Sequence, residues 1–433
     1  MILTMGKGTG SLSTNSMQAD VDTAGERIDA LRQELAEFDD FGCRTQVGKI
    51  QVGSTDRCPV YTNEFWTARQ REAHRLHEIS YRACFKPQLP RFFIERLTTI
   101  GDVVMDPFMG RGTTLLEAAL LDRCPAGNDI NPLSRMLIRP RLNPPRQGEV
   151  EERLEKMDLT GNVETWEDLL TFYHPETLLE VTHLRRLLLE RQTNGTLDHI
   201  DEWIRMIAVN RLTGHSNGFF SVYSLPPNQA VSIQSQKRIN ERRNQVPPKR
   251  DIKSLISKKS ANLLKSISET DRSALASRAP DARLTTGSAD QLEGFASESV
   301  DLVVTSPPFL NIVNYATDNW LRCWFTGIES GDVEVLMSGS TRQWTIFMAR
   351  VFRELARVLK ASGHIAFEVG EVRQGKVRLE ESVLEAAEAA GLRADLVLIN
   401  AQEFTKTANC WGVDNNSGGT NTNRIVLLRK ESK

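Results

Sequence analysis

The feature that most constrains this chain is the string Asp106-Pro107-Phe108-Met109-Gly110-Arg111-Gly112-Thr113-Thr114. It lies between an apolar strand-like run, Asp102 to Met105, and a helix-like run, Leu115 to Leu121. Strand, glycine turn and helix in that order make a βα unit, because glycine lets the backbone reverse tightly and lie close against a ligand. The spacing also excludes two ligand classes. Position 115 is leucine, so the three-glycine dinucleotide fingerprint is incomplete, and no Gly-Lys-Ser/Thr follows for a triphosphate loop. Asp106 at the strand end would repel a pyrophosphate but suits an ammonium group. Asp129, ending the next short strand, suits ribose hydroxyls.

The α/β pattern resumes far downstream, with strands expected at Arg283–Thr286, Val300–Thr305, His364–Val369, Ala394–Ile399 and Arg424–Leu428. Helices are expected at Trp344–Lys360 and Leu379–Ala390. The order βα, insertion, βαβαββ predicts one α/β, doubly wound sheet with an antiparallel last strand and a largely helical inserted region. Upstream, Ile28, Leu31, Leu35 and Phe38 recur at helical spacing and predict a surface helix. A second helical stretch is expected from about Asn63 to Tyr81, and an apolar run covers Phe92 to Leu97. The chain divides accordingly into a tail and surface helix (1–60), a first catalytic part (61–146), an insertion (147–280) and a second catalytic part (281–433).

The second motif, Thr305-Ser306-Pro307-Pro308-Phe309, again follows an apolar strand. Two prolines fix φ and remove two backbone donors, leaving a rigid turn rich in acceptors. An exocyclic amine on an aromatic ring needs such acceptors: its lone pair is delocalised until its hydrogens are held and the nitrogen can pyramidalise. Ser306 and the Pro307 carbonyl would accept the hydrogens, and Phe309 would stack on the ring.

The first and second motifs together resemble the DNA amino-methyltransferases, which modify cytosine N4 or adenine N6. In that family the second motif reads Asn, Asp or Ser, then Pro-Pro, then an aromatic residue, and the serine form is associated with cytosine. The resemblance implies a Rossmann-like methyltransferase fold and S-adenosylmethionine as cofactor, held by Asp106, Pro107, Phe108, Gly110, Gly112, Thr113, Thr114 and Asp129. It also implies Asp290 after the strand Arg283–Thr286, and Lys86 and Pro87 upstream of the glycine turn. Ser306, Pro307, Pro308 and Phe309 would be catalytic, acting on a base flipped out of the duplex. DNA is the implied partner, with a cognate restriction endonuclease as a further candidate. The rival readings are an adenine N6 enzyme of the same fold, an RNA base methyltransferase, and a catalytically silent DNA-binding protein.

The net charge of -2 gives no global attraction to a polyanion, so a nucleic-acid surface must be local. Between Lys237 and Lys259 nine Lys or Arg face two acids, and Lys237, Arg238, Arg242, Arg243, Lys249 and Arg250 are the candidate DNA contacts. The preceding segment, Arg211 to Pro227, carries His215, Asn217, Phe219, Phe220 and Tyr223 and is expected to reach base edges. Six scattered cysteines form no Cys-x-x-Cys pair, and none follows a proline. Zinc sites and covalent cytosine C5 chemistry are therefore not expected. His174-Pro175-Glu176 lacks the cysteine half of a deaminase site and predicts a structural histidine. No apolar stretch approaches eighteen residues and the N-terminus lacks a signal-peptide core, so a cytoplasmic protein without membrane or metal is expected.

Overall fold

In chain order the strands are β1 (Gln46–Val52), β2 (Asp56–Asn63), β3 (Val103–Asp106), β4 (Cys124–Asp129), β5 (Arg283–Thr286), β6 (Val300–Thr305), β7 (Leu359–Val369), β8 (Leu392–Ala401) and β9 (Thr422–Lys430). A computed structural model describes residues 12–52, 56–66, 73–81, 84–225, 230–308, 315–329, 340–369, 379–401 and 422–430. Within them the strands form one sheet in the order β1-β2-β8-β9-β7-β6-β3-β4-β5. From β5 to β7 all neighbours are parallel, and β9 runs antiparallel to both β7 and β8. The chain leaves β3 for β4 and β5 on one side, then returns to β6 and β7 on the other. The strand order thus reverses between β3 and β6, where open α/β sheets bind their ligands.

Side chains alternate across this sheet with period two. Val104, Leu302, Val304 and Ala366 face α1 (Leu12–Glu37) and α2 (Gln88–Leu97), whose Leu31, Leu35 and Phe93 are buried against them. Met105, Val303, Ile365 and Phe367 face α12 (Thr341–Val358) and α13 (Leu379–Glu388). Both faces are covered, which is why the central strands read as continuous apolar runs.

Between β4 and β5 come α4 (Leu133–Leu142), α5 (Gln147–Lys156), α6 (Pro175–Thr193), α7 (His199–Val209), α8 (Ile233–Arg243), α9 (Ile252–Leu264) and α10 (Glu269–Arg278). They share one apolar cluster with α3 (Thr113–Leu120) and α11 (Tyr315–Thr326): Leu115, Leu116 and Leu137 lie in the same core as Trp203, Ile256 and Phe325. Among the described residues no helix is long and apolar enough to cross a membrane.

Two expectations are corrected. Asn63 to Tyr81 is not a helix: β2 ends at Asn63, only Arg75–His77 forms a single 3-10 turn, and 67–72 lie outside the described residues. Side chains, not a helical ladder, satisfy this backbone. Arg111 donates to the His77 and Ile79 carbonyls at 3.1 and 3.2 Å, Arg141 to the Leu76 carbonyl at 3.1 Å, and Asn210 accepts from the Ser80 amide at 2.8 Å. The second correction is that β1 and β2 precede the strand taken as the first. Pro59 argues against a strand, yet pairing with β8 begins only at Val60, so the missing amide falls outside that ladder.

Candidate active site

Asp106 ends β3 with its carboxyl buried, accepting the Thr305 hydroxyl at 2.6 Å and the Phe108 amide at 3.0 Å. Burial pushes this carboxyl up to about 7 against the opposing effect of those bonds. Gly110 and Gly112 then turn the chain with φ of +49° and +75°. A Cβ on Gly112 would lie 2.7 Å from the Ile138 side chain, so glycine is required there by conformation and by space. Helix α3 starts at the next residue with no side-chain cap at Gly112.

The ends of β4 and β5 hold this turn from the side. Asp129 accepts the Gly110 and Asn131 amides, each at 2.8 Å, and burial raises its carboxyl to about 6. Asn128 donates to the Gly287 carbonyl at 2.9 Å and accepts the Thr285 hydroxyl at 2.8 Å. Asp290 follows in the same loop, with one oxygen taking the Ser288 hydroxyl and the other the Arg350 guanidinium at 2.8 Å. Burial works to raise it, but these two partners outweigh burial and hold it below the ordinary range. Lys86, just before Pro87 at the start of α2, is half-buried. Burial first and the nearby Arg111 second pull its ammonium down. Behind the turn, His77 and Glu117 meet at 2.7 Å in the interior, and burial lowers His77 to about 4.

The second motif leaves β6 beside this turn. Thr114 donates to the Val304 carbonyl at 3.0 Å, so the first turn of α3 is fastened to β6 two residues before Ser306. The Pro308 carbonyl accepts the Trp344 indole at 3.1 Å, which fastens the end of the Pro-Pro turn to α12. Phe309 lies outside the described residues. Parallel pairing of Thr305 with Phe367 sets Glu368 of β7 next to Ser306. The Glu368 carboxylate is buried, accepts Asn423 Nδ2 at 3.0 Å and hydrogen-bonds the Ser306 side chain. Burial raises it in spite of both bonds. Glu368, Trp344 and Arg111 were not singled out from the sequence; a lone acid in the apolar run His364–Val369 was the available signal.

The basic segment divides between α8, a loop at 244–251 and α9. Lys237, Arg238 and Arg242 are exposed on α8, and Arg243 lies 3.8 Å over the Tyr223 ring. Lys249 pairs with Glu176, and Arg250 donates to Asn217 Oδ1 at 2.9 Å. The Trp320 indole of α11 donates to the Ala230 and Val231 carbonyls at 3.3 and 3.2 Å, joining the start of α8 to the helix after the second motif. The expected base-reading role of the Arg211 to Pro227 segment is corrected in part. Phe219 and Phe220 are buried and Tyr223 lies beneath Arg243, so its aromatic rings form a floor for the basic segment. His174 caps α6, accepting the Glu176 amide at 3.3 Å, as a structural histidine would. Among the described residues no group of three or more His, Cys, Asp or Glu could hold a metal ion.

Residues 32–135, from α1 through the glycine turn to the start of α4, match the N6/N4 methyltransferase family model, described as DNA methylase. Over these residues the chain is similar to the DNA amino-methyltransferases. Its relatives include the Type II methyltransferase M.MjaII of Methanocaldococcus jannaschii, 35% identical over 17% of this chain and 14% of the relative. Another is M.BsoBI of Geobacillus stearothermophilus, 19% identical over 68% of this chain and 61% of the relative. The chain thus spans less than two thirds of the curated relatives it matches. Among solved structures, the rRNA methyltransferase aviRa of Streptomyces viridochromogenes is 14% identical over 82% of this chain and 89% of its own, with a TM-score of 0.31. A TehB-like SAM-dependent methyltransferase of Corynebacterium glutamicum is 9% identical over 79% of this chain and 87% of its own, with a TM-score of 0.28. Scores this low carry no weight for the fold, which rests on the strand order.

Proposed function

We propose that this protein transfers a methyl group from S-adenosylmethionine to the exocyclic N4 of a cytosine in DNA. The observation that carries the reading is the 2.6 Å bond from Thr305 to Asp106, which joins the two motifs across the point where strand order reverses. The cradle suits the cofactor: Gly110 and Gly112 turn the backbone with positive φ just after β3, and acids end both β3 and β4. The glycine turn, with Lys86, Pro87 and Asp106 beside it, would hold the amino-acid end. Asp129 would take the ribose hydroxyls and Asp290 the adenine side. Bound there, the cofactor supplies an electrophilic methyl on a sulfonium.

The chain's own residues prepare the nucleophile. Because the Ser306 proton is directed to Glu368, the serine oxygen is left as an acceptor, and the Pro307 carbonyl supplies a second one. Holding both amine hydrogens frees the nitrogen lone pair for attack. No covalent enzyme intermediate is needed. A target base must leave the duplex to reach this turn, and the cations of α8 are joined through Trp320 to the helix that follows it. The relatives' designation as Type II methyltransferases makes a cognate endonuclease a candidate partner, and a cytoplasmic location accords with DNA as substrate.

Tritiated methyl transfer to unmethylated genomic DNA, followed by nucleoside mass spectrometry, tests the proposal. N4-methylcytosine is expected; N6-methyladenine would overturn the base assignment, and label appearing only in RNA would overturn the substrate. A second expectation concerns Arg238 and Arg242, one helical turn apart on α8. Replacing both with alanine should flatten the log Kd against log salt slope by about 2, at roughly 0.9 per lost phosphate contact. Fluorescence anisotropy over a salt series reads this, and an unchanged slope would remove α8 from the interface.

A further inference from the structure

The loop between α8 and α9 carries the most exposed large apolar side chain among the described residues, Val246, at 83%. Pro248, two residues on, is exposed as well. A single exposed valine on a slack loop would carry no message, but this loop is held at both ends. The Gln245 amide donates to the Asn240 carbonyl at 3.0 Å, and its side chain donates to the Tyr223 carbonyl at 3.0 Å and to Asn240 Oδ1 at 2.8 Å. At the other end the Arg250 amide donates to Thr177 Oγ1 at 2.8 Å, and its guanidinium to Asn217 Oδ1 at 2.9 Å. Pro247 and Pro248 fix φ between these anchors. The apolar tip is therefore presented rigidly, and little ordering entropy remains to be lost on binding.

Its collar is cationic. Arg242 and Arg243 precede Val246, Lys249 and Arg250 follow it, and Glu241 is the one acid from Lys237 to Arg250. Glu176 pairs with Lys249, leaving the Arg242 side of the collar exposed. An apolar tip flanked along the chain by cations on both sides complements a polyanion that has an apolar interior between its charged rims, as a base-paired duplex does.

We propose that Val246, backed by Pro248, is a wedge that enters between two base pairs of bound duplex DNA. The proposal rests on DNA being the substrate. The wedge acts beside the target base, not in its place: the eleven residues of α8, rising about 16 Å, separate its loop from the Trp320 latch. Partial unstacking there would bend and unwind the duplex.

The test uses the full chain on a closed-circular plasmid relaxed by topoisomerase in its presence, with linking number read after the protein is removed. Binding to the same plasmid is measured in parallel across a salt series. Wild type should shift the linking number in proportion to protein bound. Val246→Ser should bind about tenfold more weakly with the same salt slope, since its phosphate contacts persist, and should lose at least about half of the shift per bound molecule. Val246→Leu should restore the shift. A Val246→Ser protein that unwinds as well as wild type per bound molecule overturns the wedge and leaves DNA as substrate standing. A wild-type protein that binds no plasmid overturns both.

Discussion

Replacing Glu368 with glutamine should lower kcat about a hundredfold while leaving cofactor affinity close to wild type, on the scale of losing one positioned acceptor at a reacting centre. Glutamine keeps the shape but can offer Ser306 a donor, which turns the serine hydroxyl proton toward the incoming amine. The site would then present a donor where an acceptor is needed. In the proposed mechanism Glu368 acts through Ser306 as a positioning residue, so two readouts separate this role from a structural one. The first is stability: burial disfavours the charged carboxylate and raises its pKa, so removing the charge should leave Tm unchanged or higher. The second is the pH profile. Activity needs the ionised carboxylate, so the wild-type acid limb should lie above the ordinary glutamate range, near pH 4.3, and this limb should vanish in Glu368→Gln. A variant with normal kcat, or one whose loss of rate follows a loss of fold, would refute the role.

Gly112→Ala should be the most disruptive single methyl in the glycine turn. A left-handed φ of +75° strains an alanine by about 1–2 kcal/mol. The new Cβ would stand 2.7 Å from Ile138 Cβ and Cγ1, an overpacking that adds about 1–3 kcal/mol. Gly110→Ala is the internal control. It also has positive φ, but its Cβ would meet Tyr81 at an ordinary 3.5 Å, so only the conformational cost of about 1–2 kcal/mol applies. Urea denaturation should rank Gly112→Ala well below Gly110→Ala, and isothermal titration with S-adenosylmethionine should show the larger loss of affinity in Gly112→Ala. Equal stability of the two would mean that Ile138 yields and that space is not what excludes a side chain.

Both motifs were legible because their information is local. A glycine turn after Val103–Asp106 and two prolines after Val300–Thr305 declare strand ends within a dozen residues. Glu368 was not legible, because its partner is chosen by parallel pairing of β6 with β7, elements separated by the whole of α11 and α12. The segment from Asn63 to Tyr81 misled for a related reason. Leu76 and Ile79 are buried, yet their backbone is held by Arg111 and Arg141 arriving from the glycine turn and α4, and no local period records that. Phe219 and Phe220 illustrate the opposite error: aromatic residues among Gly, Ser and Asn suggest a presenting loop, whereas these two fill the core beneath one.

The single apolar cluster that unites α3 with α4 through α11 bears on how such a protein could acquire a new target sequence. A recognition module with its own core can be exchanged whole between relatives, as a cassette. Here, excising the helices between β4 and β5 would strip the cover from Leu115 and Leu116, the side chains that seat the glycine turn. On the proposal that α8 and its loop contact DNA, specificity would therefore drift through surface positions there, one side chain at a time, while the helices that carry them stay in place.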